Sequence, residues 1–208
     1  MVCLLYRAFC LNESFESVLR FLCTECRKGS PMTIDLKKIT NPDIINFLSD
    51  PENSEAMAKG YLLLGGEAEK NRNWDDAIEC YRAILRINPV DPVSRYFAPY
   101  NIAHALFQLK RFEEATGYAH AAVAANMDWP QAYNMLGVVY KAQGKYQDAV
   151  WYLLAATLRA PTNKNAWLNL QAILAKHPEV LADIPYLADA VESARKFLEA
   201  RGALPKAH

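Results

Sequence analysis

Residues 130–163 read PQAYNMLGVVYKAQGKYQDAVWYLLAATLRAPTN, and they carry the clearest structural pattern in the chain. Apolar side chains recur at steps of three and four residues on both sides of a short polar turn, Gln143-Gly144-Lys145. That spacing is typical of amphipathic helices, and a glycine among polar residues marks a break between two of them. The stretch therefore predicts two helices joined by a tight turn.

The same pattern occurs in two earlier segments of the chain. Two sets of small residues set the register: Gly65, Ala103 and Gly137 in the first helices, and Ala77, Ala115 and Ala149 in the second helices. Both sets are spaced by 38 and then 34 residues. The unit is therefore 34 residues long, with four extra residues near 90–95 between the first two copies. The small residues let helices approach closely, and Trp74, Phe112 and Tyr146 fill the wedge between the helices of each pair.

These residues resemble the tetratricopeptide repeat, a helix-turn-helix unit of 34 residues. The copies cover residues 58–91, 96–129 and 130–163, and the third matches the family pattern best. The second is degenerate, because Pro99 stands where the family usually has Trp or Tyr. The resemblance implies an all-α fold: a right-handed superhelix, or α-solenoid, of three repeats.

The segments that flank the repeats are predicted to complete the solenoid. Residues 32–57 are predicted to form leading helices, one of them near 41–48. Residues 164–208 begin a partial fourth unit and end in a capping helix, because a solenoid must cover its last apolar face. The apolar stripe of this capping helix consists of Leu187, Val191, Ala194 and Leu198.

Residues 1–31 do not resemble the rest of the chain. Two interpretations stay open: translation starts at Met32, or residues 1–31 are a loosely attached head. Four of the five cysteines, Cys3, Cys10, Cys23 and Cys26, lie in this head. The Cys23/Cys26 pair has the spacing of a zinc or redox site, but further ligands at a recognised spacing and a thioredoxin-like βαβ context are missing. We therefore predict ordinary thiols and no metal.

Composition limits the function further. Hydrophobic residues make up 52% and charged residues 22% of the chain, as in globular proteins. The 23 basic residues balance the 23 acidic ones, which disfavours a nucleic-acid partner. There is no apolar run long enough to span a membrane and no export signal, so a cytoplasmic protein is predicted.

The sequence predicts no enzyme. The histidines have no metal-ligand spacing, and the chain contains no GxGxxG or GxxxxGK[ST] motif. Asp75-Asp76 and Glu113-Glu114 stand at helix starts, where carboxylates favour the helix dipole. We therefore expect neither a catalytic residue nor a cofactor.

The family resemblance implies a concave groove, lined by the first helices of the repeats, that binds a partner peptide or helix. The candidate groove residues are Phe97, Tyr100, Asn101, His104, Phe107, Gln131, Asn134, Val138, Lys141, Asn165, Leu168 and Asn169. The asparagine amides have both donors and acceptors for a peptide backbone, and the aromatics offer apolar anchors. The alternative is that these side chains pack against neighbouring helices.

The favoured function is an interaction scaffold, and two alternatives stay beside it. One is a chaperone similar to the tetratricopeptide chaperones of type III secretion, and the less favoured one is the targeting part of an enzyme. A clamp for a chaperone's terminal carboxylate is not expected, because Leu62, Gly66, Gln131 and Met135 stand where that clamp has its cations and one of its asparagines. Homo-oligomerisation stays open.

Overall fold

Paired helices joined by tight turns make up the computed structural model, which describes residues 39–50, 52–87, 91–162, 164–182 and 185–204. These residues form helices and no strand, so the predicted all-α fold is confirmed for the part described. In chain order the helices are α1 (Pro42–Leu48), α2 (Ser54–Lys70), α3 (Trp74–Ile87), α4 (Pro92–Gln108), α5 (Phe112–Ala125), α6 (Pro130–Ala142), α7 (Tyr146–Arg159), α8 (Lys164–Lys176), α9 (Glu179–Ala182) and α10 (Pro185–Ala200). The predictions for residues 1–31, including those for Cys23 and Cys26, lie outside the described residues.

The chain divides into two units, with the boundary between Asn126 and Met127. In the first unit, α1 packs against α2, and α2 to α5 pack as consecutive neighbours. In the second, α6, α7 and α8 pack in the same way, and α10 contacts α7 and α9. The predicted boundaries of the individual repeats stay a prediction.

The turns inside the helix pairs share one backbone geometry. Arg72, Lys110 and Gly144 have φ angles of 59°, 60° and 75°, and they stand at equivalent positions of the three copies. In each turn the N–H of the next residue donates to a carbonyl five residues earlier, at 2.9 Å. This is the Schellman arrangement that ends a helix.

Small residues bring the paired helices together as predicted. A Cβ built on Gly65 would lie 2.6 Å from Cε1 of Tyr81, and one built on Gly137 would lie 2.5 Å from Cγ of Leu153. The second-helix residues Ala77 and Ala149 are fully buried. The repeat spacing therefore identified the contacts that close the pairs.

The four extra residues between the first two copies extend a helix. Helix α4 begins at Pro92, four residues before the predicted copy starts, and continues through Pro99. The Asp91 carboxylate accepts hydrogen bonds from the N–H and hydroxyl of Ser94, at 2.9 and 2.8 Å. Asp91 thus satisfies an N–H of the first turn, and the proline after it suits the first helical position.

The helices at the two ends of the described chain pack against neighbouring helices of their units. Asn41 caps α1 by accepting from the N–H of Asp43, and Leu48 lies against the Gly60 backbone of α2. At the other end, Leu187, Ala194 and Leu198 of α10 are buried, whereas Val191, the fourth residue of the predicted stripe, is only partly buried. In the part of the chain described, none of the helices has the length and apolar character needed to cross a bilayer.

Candidate functional site

The predicted groove residues lie on the first helices of successive pairs. Five are on α4 of the first unit, and the other seven are on α6 and α8 of the second. Since α2 contacts α4 and α6 contacts α8, each unit carries a surface made by two first helices. We call the surface with Glu69 and the five α4 residues the α2/α4 face. The surface with the other seven residues is the α6/α8 face.

All twelve predicted residues keep some exposure to solvent. Between them on the same helices lie side chains that are fully or almost fully buried, among them Ala98, Ile102, Ala132 and Leu170. Gln131, Asn165 and Leu168 are exposed, and Leu168 retains 57% of its accessible surface. Each first helix therefore buries one side in its own unit and presents the predicted residues on another.

An ionisable cluster joins α2 and α4 on the first face. The Nδ1 atom of His104 lies 3.4 Å from Oε1 of Glu69. The other ring nitrogen of His104 lies 3.1 Å from the amide nitrogen of Gln108. The side chains of Glu69 and His104 are 23% and 35% exposed. The sequence prediction included His104 but missed both of its partners.

Aromatic rings surround this cluster. The Trp74 ring packs edge-on against the His104 ring, with centroids 5.8 Å apart. Burial, and then the negative charge of Glu69, raises the pKa of Tyr100. The pKa of the fully buried Tyr81 is also raised, first by burial and then by the Glu69 charge. The Glu69 carboxylate therefore lies in a partly desolvated environment lined by aromatic side chains.

Phe97 and Phe107 already contact other aromatic rings. Phe97 lies 5.1 Å from Tyr96 between ring centroids, and Phe107 lies 5.6 Å from Phe112. Both rings therefore have a packing role, which was the alternative to partner binding that the sequence left open. Because they are only partly buried, both also keep area that another molecule could cover.

Amide groups dominate the α6/α8 face. Nδ2 of Asn169 donates to Oδ1 of Asn134 at 3.2 Å, which ties α8 to α6. This bond uses one donor and one acceptor, so an amide donor on Asn134 and an acceptor on Asn169 keep hydrogen-bonding capacity. Val138 and Lys141 are partly exposed on α6. This face combines amides with the apolar side chain of Leu168.

Repeat position alone could have identified Glu69. Glu69, Phe107 and Lys141 stand at equivalent positions of the first, second and third copies. The sequence prediction named Phe107 and Lys141 but no residue of the first copy. The adjacent glycines differ: Gly65 is tightly packed, whereas a Cβ on Gly66 would meet no heavy atom within 4 Å outside its own helix backbone and chain neighbours.

The described residues offer little for metal or thiol chemistry. They contain no group of three or more His, Cys, Asp or Glu side chains that could hold a metal ion. Cys80, the free cysteine described, is 1% exposed, and burial together with the charges of Asp76 and Glu79 raises the pKa of its thiol to about 12. It is a packed core residue.

A family model described as the tetratricopeptide repeat matches residues 130–163, the stretch whose turn, close helix contact and buried alanine are described above. The chain is a tetratricopeptide repeat protein. The RNA polymerase II-associated protein 3 of Rattus norvegicus is 30% identical over 166 residues, which are 76% of this chain and 25% of that protein. The small glutamine-rich tetratricopeptide repeat-containing protein 2 of Saccharomyces cerevisiae is 27% identical over 106 residues, or 51% of this chain and 30% of that protein.

Solved tetratricopeptide structures share the fold. The first tetratricopeptide domain of Spaghetti (RPAP3), solved with the HSP90 peptide SRMEEVD, matches with a TM-score of 0.51 and 28% identity, over 60% of this chain and 92% of that one. MamA matches with a TM-score of 0.57 at 20% identity, over 77% and 88% of the two chains, which shows the fold alone. The chain spans about a quarter of the length of the curated relatives named above.

Proposed function

We propose that this tetratricopeptide repeat protein is an interaction module whose first helices bind a segment of a partner protein. The observation that carries the proposal is its similarity to the Spaghetti domain, which was solved with a peptide bound and is covered over 92% of its length. The partial exposure of all twelve predicted residues supports it, because a binding surface must be accessible. The proposal assigns no catalytic step.

The chemistry of the two faces suits a peptide. Asparagine amides can pair with backbone groups whatever the side chains of the partner, which is useful for holding an extended segment. Partly buried aromatic and leucine side chains supply apolar area, and such anchors carry much of the affinity of protein interfaces. Both kinds of group are present: Asn101 and Phe107 on the α2/α4 face, and Asn169 and Leu168 on the α6/α8 face.

A display experiment tests the proposal. We expect a library of random dodecapeptides to yield binders of the full chain. A peptide held by the α2/α4 face should bind Asn101→Ala at least about fivefold more weakly, and one held by the α6/α8 face should respond in this way to Leu168→Ala. Glu113→Ala and Gln147→Ala, exposed on the second helices α5 and α7, are the matched controls. Absence of binders, or binders sensitive only to the controls, would contradict the proposal.

Similarity to the Spaghetti domain makes the peptide SRMEEVD a specific second candidate. Its terminal carboxylate would need fixed cations to offset its desolvation. At the positions where the family clamp has its Lys and Arg side chains, the described residues include Leu62, exposed Gln131 and Met135, which is only 7% exposed. We therefore expect amidation of the peptide's carboxy terminus to change its affinity by less than about twofold, whereas a true clamp would lose binding.

The type III secretion chaperone alternative stays a prediction from the sequence, as do the cytoplasmic location and homo-oligomerisation. No specific observation in the described residues favours the chaperone alternative over the general interaction module.

A further inference from the structure

Among the described residues, Glu69 is a carboxylate without a Lys or Arg side-chain partner. It lies in the last turn of α2, with 23% of its side chain exposed. Within the described part of the chain, the ion pair recorded for Glu69 is the 3.4 Å contact with His104. Arg82 engages Glu79 and Tyr118, while Arg111 engages Glu114 and Asp75.

The two ring nitrogens of His104 contact different groups. Nδ1 lies 3.4 Å from Oε1 of Glu69, and Nε2 lies 3.1 Å from the amide nitrogen of Gln108. With the Gln108 nitrogen as donor, Nε2 accepts and the hydrogen on Nδ1 donates to Glu69. His104 in this arrangement orients the carboxylate and supplies no fixed positive charge.

The nearest lysines on α2 do not neutralise Glu69 either. Lys70 is the next residue and is exposed, and adjacent residues of a helix do not face each other. Lys59 is ten residues away, about 15 Å along the helix axis. The Glu69 charge reaches Tyr81 and Tyr100, where it contributes to raising the pKa of both phenols.

Space for an incoming side chain lies next to Glu69. Gly66 precedes Glu69 by three residues, so both lie on the same side of α2. A Cβ built on Gly66 would have no heavy atom within 4 Å, apart from its own helix backbone and chain neighbours. A partner segment can therefore approach this part of the helix closely, one turn before Glu69, whose side chain is 23% exposed.

We propose that the α2/α4 face binds a partner segment through a Lys or Arg side chain that pairs with Glu69. This inference rests on the proposed interaction function and names the chemistry of its ligand. A partly desolvated carboxylate gains most from a cation, since charge-assisted hydrogen bonds are about twice as strong as neutral ones. The Trp74 ring, which packs edge-on against His104, belongs to the same cluster, and aromatic rings attract Lys and Arg. An anionic segment is disfavoured by the same charge.

The test compares dodecapeptide selections on the full-length wild-type protein, Glu69→Gln and Glu67→Gln. Glutamine at 69 can still accept from His104, so only the charge is lost. Glu67 is the matched control, because it is on the same helix and its carboxylate accepts instead from Asn41 at 3.0 Å. Wild type and Glu67→Gln should enrich peptides with Lys or Arg at one fixed position, and Glu69→Gln should lose that enrichment.

A double-mutant cycle on one selected peptide then measures the coupling between its Lys or Arg and Glu69. Replacing the enriched Lys or Arg by Gln should weaken binding to wild type about tenfold and binding to Glu69→Gln by less than twofold. Equal losses in both proteins would overturn the proposal. Peptides that respond to Asn101→Ala but not to Glu69→Gln would overturn it while the interaction function stands. Failure to select any peptide would overturn both. Melting temperatures of the variants confirm that each is folded.

Discussion

The two units carry different chemistry on the surfaces made by their first helices. The α2/α4 face has the Glu69–His104 pair beside aromatic rings, whereas the α6/α8 face has the Asn134–Asn169 amide pair. On the buried sides of the same helices the units are alike, with Gly65 and Gly137 each closing a helix pair. Packing thus requires a small residue where the helices of a pair approach most closely, while the partly exposed positions are free to differ between units.

The largest expected effect concerns the shared inward positions. Gly65→Ala would place a Cβ 2.6 Å from the Tyr81 ring, and Gly137→Ala would place one 2.5 Å from Cγ of Leu153 and 3.2 Å from the Ala149 carbonyl oxygen. We expect each change to lower the free energy of unfolding by about 1–3 kcal/mol, as overpacking does. Gly66→Ala is the matched control, expected to raise it by about 0.5–1 kcal/mol because alanine is the better helix former.

Denaturant unfolding of the full chain measures the changes in the free energy of unfolding. Alkylation of Cys80 reports separately on the stability of the first unit. Residues 127–208 contain no cysteine. Because the Cys80 thiol is buried and its pKa is raised from 9.0 to about 12, its thiolate fraction at pH 8 falls roughly a thousandfold. Labelling of the Cys80 peptide, read by mass spectrometry, should be faster in Gly65→Ala than in Gly66→Ala. Equal rates in both variants would show that Gly65 is not a packing position.

A smaller effect is expected at the turns, where the units have different residue types at the same left-handed position. Gly144 has a φ of 75° in the second unit, and Lys110 has a φ of 60° in the first. A left-handed conformation costs residues with a Cβ about 1–2 kcal/mol. Gly144→Ala should therefore lower the free energy of unfolding by about 1 kcal/mol, and Lys110→Gly should raise it by a few tenths to about 1 kcal/mol.

The control for the turns is Lys145→Gly, next to Gly144 but with a φ of −85°. Glycine gives no conformational advantage there, so we expect no gain in stability from this change. Thermal or urea unfolding distinguishes these cases. A gain for Lys145→Gly as large as that for Lys110→Gly would show that left-handed strain is not what separates the two turns.

The repeat spacing predicted those features of the fold that depend only on the size of a residue and its position in the repeat. Buried Ala77 and Ala149 and the glycine turn at Gly144 all follow from the 34-residue register. The left-handed Arg72 and Lys110 could not be recognised locally, because neither is a glycine. Their conformation follows only from their equivalence to Gly144 in the register.

The parts of the candidate site that were missed depend on contacts between helices. Glu69 and His104 are 35 residues apart, so their pairing requires α2 and α4 to be placed side by side. Likewise, Asn134 and Asn169 were predicted as separate groove residues, and only the packing of α6 against α8 shows that they bond to each other. The start of α4 at Pro92 depends on the Asp91 cap, whose side-chain bonds the apolar pattern does not record.

The smallest expected effect concerns that amide pair. In a cycle of Asn134→Ala, Asn169→Ala and the double variant, we expect a coupling of about 0.5–1 kcal/mol in the free energy of unfolding, because the 3.2 Å bond is only partly buried. Asn165→Ala, exposed on the same helix α8, is the control and should add to Asn134→Ala without coupling. A coupling near zero for the pair would mean that the bond contributes nothing to the unit. The two amides would then be wholly available to a partner, and the α6/α8 face would lack a polar pair that joins its two first helices, unlike the α2/α4 face with Glu69 and His104.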